Sequence, residues 1–299
     1  RPLGPAAVIP GVDPEDLPQR HLTDHTFAGP DYSLLPDTEF PEMLDWMYET
    51  DYRDWANLTP YQQRTLTELR RRNRKQLRIA DHKRYELLGN AADISVTATD
   101  TARAGEKIQL RVDVHNKVAG HSFPTGFTAE RQLWVELTVR DGDGNIVFAS
   151  GDLDSNGDLR DEHSHDVLAG KIHYDKYLLN FQNKFMALSN KGTDRPVVLS
   201  VNRDLSPVNV LRPAVGIAAS FGRPFGCCIA KGSLSPPLAT IGQDYPVRLP
   251  DRPGVYTYRA QLNFRHLPPT LLDHIGTPHL KHLLEVVVID ACEGVIVVE

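Results

Sequence analysis

The chain has 299 residues, 40% of them hydrophobic and 24% charged, which is an ordinary globular composition and enough chain for one large domain or two modest ones. Its formal net charge of −6 speaks against nucleic acid as a partner, because nucleic-acid binders present a basic face. No apolar run approaches the roughly 20 residues that would span a bilayer. The opening on Arg1 instead of Met reads as a processed or trimmed start, compatible with a lost targeting segment.

Residues 1–42 carry Pro2, Pro5, Pro10, Pro14, Pro18, Pro30, Pro36 and Pro41. Each proline fixes its own φ and removes a backbone donor, so an extended arm lying on a surface is expected there, not helix. Residues 43–90 read as a helical segment. Pro41 to Tyr48 suits a short helix with Met43, Leu44 and Met47 on its apolar side. Thr59-Pro60 then supplies an N-cap with proline at the first helical position, and a run rich in Arg, Lys, Gln, Glu and Leu continues to about Leu88. The polar side of that run is strongly basic (Arg70, Arg71, Arg72, Arg74, Lys75) and suits either a solvated face or an acidic partner. Trp46, Tyr48, Tyr52 and Trp55 form an aromatic-rich patch expected to pack the helix onto the following domain or to anchor an interface.

The pattern changes at Ala91. Ile94–Ala98, Ile108–Val114 and Leu133–Val139 alternate apolar with polar residues, as half-buried strands do. Ile146–Phe148 follows an Asp141-Gly142-Asp143-Gly144-Asn145 turn, and Val197–Val201, Tyr256–Phe264 and Val286–Ile289 are further strands. Short strands separated by turn residues predict a mainly β fold over 91–299: an Ig-like antiparallel β-sandwich behind the proline-rich arm and helical segment. Long insertions at 151–190 and 202–250 read as irregular. Thr270–Leu284 reads as a helix broken around Gly276-Thr277-Pro278.

The chain offers no Gly-x-Ser-x-Gly, no phosphate-binding glycine loop and no His-Glu-x-x-His, so it is read as a non-enzyme. Asp152-x-Asp154-x-Asn156-Gly157-Asp158 reproduces the first half of a calcium loop, with oxygens at alternate positions and a glycine for the turn. The twelfth position is His163, not Glu, so the alternative is an acidic loop built on Asx turns. His163, His165 and His173, and farther on His274, His279 and His282, are either surface histidines or ligands of a transition metal in a metal-dependent enzyme. Of Cys227, Cys228 and Cys292, one of the first two pairing with Cys292 suits an oxidising compartment, and three thiols is the alternative.

His115-Asn116-Lys117-Val118-Ala119-Gly120-His121-Ser122-Phe123-Pro124-Thr125-Gly126, followed by Arg131 and Trp134, resembles a signature of the C-terminal β-sandwich region of multihaem c-type cytochromes. His21-Leu22-Thr23-Asp24-His25-Thr26-Phe27-Ala28-Gly29 is similar to a His-x-Phe-x-Gly segment of such proteins, and Arg265-His266-Leu267-Pro268-Pro269 to their closing strand-to-helix passage. The resemblance implies that His25 and His121, with His21 second to His25, are axial ligands of haem iron. The chain has no Cys-x-x-Cys-His, however, so any such haem c belongs to a partner chain or to a preceding region. Chemistry alone gives His121 a second role, holding its glycine- and proline-rich turn together. The implied function is an exported, non-catalytic subunit on the periplasmic or extracellular face of a bacterial membrane. It would dock, by its sandwich and arm, on a multihaem cytochrome or other redox subunit of a respiratory or photosynthetic complex. The alternative is the C-terminal part of a multihaem cytochrome that takes part directly in electron transfer.

Overall fold

A computed structural model describes residues 3–5, 10–21, 29–34, 46, 51–118, 123–124, 130–161, 164–182, 184–189, 197–200, 217–222 and 238–299. In the arm, β1 (Leu3–Pro5) pairs antiparallel with β2 (Gln19–His21) around a 3-10 turn at Pro14–Asp16. The first helix, α1 (Pro60–Gly89), starts where Thr59-Pro60 predicts. Thr59 Oγ1 accepts the Gln62 N–H at 3.3 Å and Gln62 Oε1 accepts the Thr59 N–H at 2.9 Å, a reciprocal capping box. The expected short helix at Pro41–Tyr48 lies outside the described residues, apart from Trp46.

The body is mainly β, as the alternation predicts. Its elements are β3 (Ala92–Thr97), β4 (Thr101–Ala102), β5 (Lys107–Asn116), β6 (Gln132–Arg140), β7 (Ile146–Ser150), a short α2 (His165–Leu168) and β8 (Leu179–Asn180). There follow β9 (Lys184–Ser189), β10 (Val197–Ser200), β11 (Ile217–Gly222), β12 (Thr240–Arg248), β13 (Gly254–Arg265), α3 (Pro269–His274) and β14 (Val287–Val298). A three-stranded sheet in the order β12-β5-β3 faces a six-stranded one in the order β4-β14-β13-β6-β7, with β8 added alongside β6. β9, β10 and β11 form a separate small antiparallel sheet.

Alternation decides which face is the core. In β5, Ile108, Leu110, Val112 and Val114 are buried while Lys107, Gln109 and Arg111 are exposed. These side chains join Leu133, Val135, Leu137 and Val139 of β6 and Tyr256, Ala260, Leu262 and Phe264 of β13 in one core between the sheets. Burying a side chain of this size contributes about 1.5–3 kcal/mol, so this interface dominates the stability of the sandwich.

Three expectations need correction. β9, β11 and β12 fall in spans read as irregular insertions. β12 was masked by Gly242 and Pro246, which interrupt its alternation; Pro246 is tolerated because β12 is an edge strand. Glycine at 242 leaves room for the side chains of Asp113 and Arg111 on the neighbouring β5, the nearest atom, Asp113 Oδ1, standing 2.0 Å from where a Cβ would be. β14 runs on from Ile289 to Val298, with Gly294 making room for the ring of Tyr258. Finally, Trp46 and Tyr52 pack against Leu58 and Leu66 at the start of α1, in a cluster apart from the sandwich core. The aromatic patch therefore braces the helix against its own approach segment, and Trp55 stays 43% exposed.

Candidate functional site

Described residues in or next to the three sequence segments that resemble the cytochrome signature meet at one corner of the sandwich. The arm arrives there with Asp31 and Tyr32, just beyond Gly29. Arg131 directs a two-point ion pair at Asp31, Nε to Oδ1 at 2.9 Å and Nη2 to Oδ2 at 2.5 Å. Beside it, the rings of Tyr32 and His266 lie 4.2 Å apart at 57°. Phe123, at the middle of the Gly-His-x-x-Pro-Thr-Gly turn, is buried and stacks on Phe264 at 6.5 Å. Trp134 is fully buried; its Nε1 donates to the Gly151 carbonyl at 3.0 Å, and the Arg265 guanidinium lies over its ring at 5.5 Å.

A cation completes the corner. Arg84 projects from the buried stripe of α1, and its guanidinium sits between the rings of Tyr32 (4.4 Å) and Tyr85 (4.3 Å). Its charge is met by Asp81 at 2.9 Å and Glu285 at 2.8 Å. The Tyr85 hydroxyl donates to the other Glu285 oxygen. The Tyr32 hydroxyl donates to the Leu283 carbonyl at 2.7 Å and accepts the Glu285 N–H at 2.6 Å. Tyr32 thus ties the arm to α1, to β14's approach and to the end of β13.

The electrostatics follow from burial. His266 is 5% exposed, and burial, helped by Arg84, Arg131 and Arg265, pushes its pKa down to about 4 against the pull of Asp31. Its imidazole is neutral at pH 7, and among the described residues its Nδ1 has no hydrogen-bond partner. Burial raises the Glu285 carboxyl, but hydrogen bonds from Tyr85 and Arg84 outweigh it, so Glu285 ends below the ordinary carboxylate range. The corner can clamp and orient chain segments. It gathers a neutral imidazole, two phenols and three guanidinium groups.

The sequence-based candidates divide unequally. His21 closes β2, its backbone paired with Leu3. His25 and His121 lie outside the described residues, as do His163, Cys227 and Cys228. Cys292 is half-buried on β14. Asp152, Asp154, Asn156 and Asp158 do share one loop, with the expected turn at Gly157 (φ +83°). Asp154 Oδ1 accepts the N–H groups of Asn156 (2.9 Å) and Asp158 (2.8 Å), and its Oδ2 accepts the Ser164 hydroxyl at 2.7 Å. Asp152 holds Arg160 at 2.5 Å, Asn156 Oδ1 holds Lys281 Nζ at 2.5 Å, and Asp158 Oδ1 accepts the Thr270 N–H at 3.0 Å. Protein donors sit on each of these side chains, in the Asx-turn arrangement weighed as the alternative to calcium. Among the described residues, no three His, Cys, Asp or Glu side chains gather as a metal ion requires. His274 and His282 turn their Nδ1 atoms to the carbonyls of Thr270 and His279, both at 2.7 Å.

Sequence reasoning passed over Asp31, Tyr32, Arg84 and Glu285. One signal was available: Arg84 falls on the helical stripe of Leu66, Leu69, Asn73, Leu77 and Leu88, where a charge must find a buried partner.

No family model matches the chain, and no curated protein matches it. Among solved structures, the chain is similar to a penta-heme cytochrome c552 from Thermochromatium tepidum, at 19% sequence identity and a TM-score of 0.41. The match covers 70% of this chain and 40% of that one, so the chain spans well under half of its length. A likeness at that level leaves the function to be argued from the residues themselves.

Proposed function

We propose that the chain is an exported, non-catalytic protein that docks on and stabilises a cytochrome-containing electron-transfer complex, respiratory or photosynthetic. It would work on the periplasmic or extracellular face of a bacterial membrane. One observation carries this reading: Arg131 and His266, which belong to the cytochrome-like signature and segments, and Asp31, which follows another, converge on one clamped corner although they lie far apart in sequence. A corner built of ion pairs and stacked rings fixes the arm on the sandwich and presents both as one surface. The partner is a multihaem cytochrome or another redox subunit. Purification of the chain with its native partners tests the reading: it should elute with a cytochrome, and a chain that is always monomeric with no cytochrome beside it would overturn it.

The Asp31–Arg131 pair also favours a second reading. His25 stands shortly before Asp31 and His121 shortly before Arg131, so the pair joins the two segments that carry the candidate axial histidines. In this reading the chain is the C-terminal part of a multihaem cytochrome, and His25 or His121 ligates a haem c that is not attached to this chain. The visible spectrum of the native assembly decides between the two. A Soret band that shifts on reduction and changes in His121→Ala supports ligation, and an unchanged band in both His25→Ala and His121→Ala rejects it.

A further inference from the structure

We infer that α1 is a surface-docking helix whose occupant is an anionic lipid headgroup layer; the inference stands independently of the redox reading. Between Pro60 and Gly89 there are nine Lys and Arg against three Asp and Glu, a net charge of +6 within a chain of net −6, so the remaining residues carry −12. The helix is also strictly two-faced. Leu66, Leu69, Asn73, Arg84 and Leu88 are buried along one stripe. The opposite face presents Tyr61, Arg64, Arg72, Lys75 and Arg78, all exposed, at the three- and four-residue spacing that aligns side chains along one line through Glu68, with exposed Arg71 beside it. Glu68 lies on that line but is already matched to Arg71 at 2.6 Å.

Geometry selects the occupant. At 1.5 Å per residue the helix is about 45 Å long and the cationic line from Arg64 to Arg78 about 21 Å. A straight ridge of that length lies on a plane along its whole extent, whereas a protein partner would need a groove cut to fit it. At the N-terminal end Trp55 is 43% and Tyr61 66% exposed, and rings that are apolar at one end and polar at the other suit the headgroup layer. Ile79 is the large aliphatic on the ridge, so the helix adsorbs on headgroups by charge without inserting. No helix of the described residues is long and apolar enough to cross a membrane. With the acidic charge concentrated elsewhere, the chain meets an anionic plane helix first.

The test is co-sedimentation of the full chain with vesicles of phosphatidylcholine, with and without phosphatidylglycerol. Binding is expected only with phosphatidylglycerol, and it should disappear at about 0.5 M salt, where charges are screened within a few ångströms. Combining Arg64→Gln, Arg72→Gln, Lys75→Gln and Arg78→Gln should lower the partition coefficient by several hundredfold, each of the four cations counting for about fivefold. Lys107→Gln with Arg248→Gln, which removes two exposed cations from the sandwich, should leave it unchanged. Circular dichroism checks that the variant keeps its helix, and the salt dependence of the unmodified chain tests the same idea without any substitution. The inference is overturned if phosphatidylglycerol makes no difference, or if the folded quadruple variant binds as the parent does. It is equally overturned if the chain binds poly-L-glutamate but not vesicles, which would make an acidic protein the occupant.

Discussion

Asp31 and Arg131 are 100 residues apart in sequence and meet through two parallel hydrogen bonds, fastening the arm to the chain just before β6 of the larger sheet. Because Asp31 remains 45% exposed, solvent screens part of the attraction, and the two-point geometry makes up some of the loss. In a double-mutant cycle with Asp31→Asn and Arg131→Gln, a coupling of about 1 kcal/mol is expected. Limited proteolysis should then cut the arm faster in either variant. Equal cleavage rates in parent and variants would show that the pair does not hold the arm.

Arg84 is the second fastening point. Its guanidinium is 3% exposed while both carboxylate partners are partly open to water, so truncation removes a stacked cation and leaves Glu285 with less than its present set of donors. Arg84→Ala should cost about 2–3 kcal/mol in urea unfolding. Arg84→Lys should recover less than half of that, because an ammonium cannot lie flat between the rings of Tyr32 and Tyr85.

Two buried groups give the stability opposite dependences on pH. His266, depressed to about 4, contributes stability that is present above its unfolded value of roughly 6.5 and is lost as pH falls towards 4. Asp158 is raised to about 6, chiefly by burial, so its contribution is complete below roughly pH 4 and is lost as pH rises through 6. Between pH 4 and 6, His266→Gln should flatten the loss of stability on acidification, and Asp158→Asn should steepen it. Chemical denaturation at several pH values reads both. Slopes that move in the same direction in the two variants would contradict the assignment.

Gly151 supplies the carbonyl that receives the Trp134 indole, and it does so at φ +77° with no room for a side chain. A Cβ there would lie 2.1 Å from the Val135 carbonyl oxygen. Gly151→Ala should therefore destabilise the sandwich by about 3 kcal/mol or more, visible as a lowered thermal midpoint and a red-shifted Trp134 emission.

The loop from Asp152 to Asp158 is closed by Arg160, Lys281 and backbone N–H groups. Added calcium has to displace these donors. Millimolar Ca²⁺ should accordingly shift the melting temperature by no more than about 1 °C, whereas a tight site would raise it by several degrees. Differential scanning calorimetry with and without EDTA makes the comparison.

What the sequence displays depends on the range of the interaction. β3, β5, β6 and β13 are legible because alternation is a property of neighbours, and the Thr59-Pro60 helix start because capping spans a single turn. β12 escapes because Gly242 and Pro246 serve its position beside β5 and at the sheet edge, and neither need is visible within the strand. The corner escapes for the same reason. Tyr32 reaches Leu283 and Glu285 across some 250 positions, and no local pattern foretells a contact of that separation. The resemblance singled out His25, His121, Arg131 and His266; His25 and His121 lie outside the described residues, while Arg131 and His266 meet Asp31 and Tyr32, which no motif marked.

The burial of α1 in two separate places has a consequence for how the molecule comes apart. Leu66, near one end, belongs to a small cluster with Leu58, Trp46 and Tyr52, while Leu88, near the other, belongs to the sandwich core. The two halves of one helix therefore take their protection from independent sources. Backbone amides around Leu88 should exchange with solvent only when the sandwich opens, and those around Leu66 at the lower free energy that releases a four-residue cluster. Denaturation followed by far-ultraviolet ellipticity and by burial of Trp134 would then trace two transitions, with the front of the helix melting first.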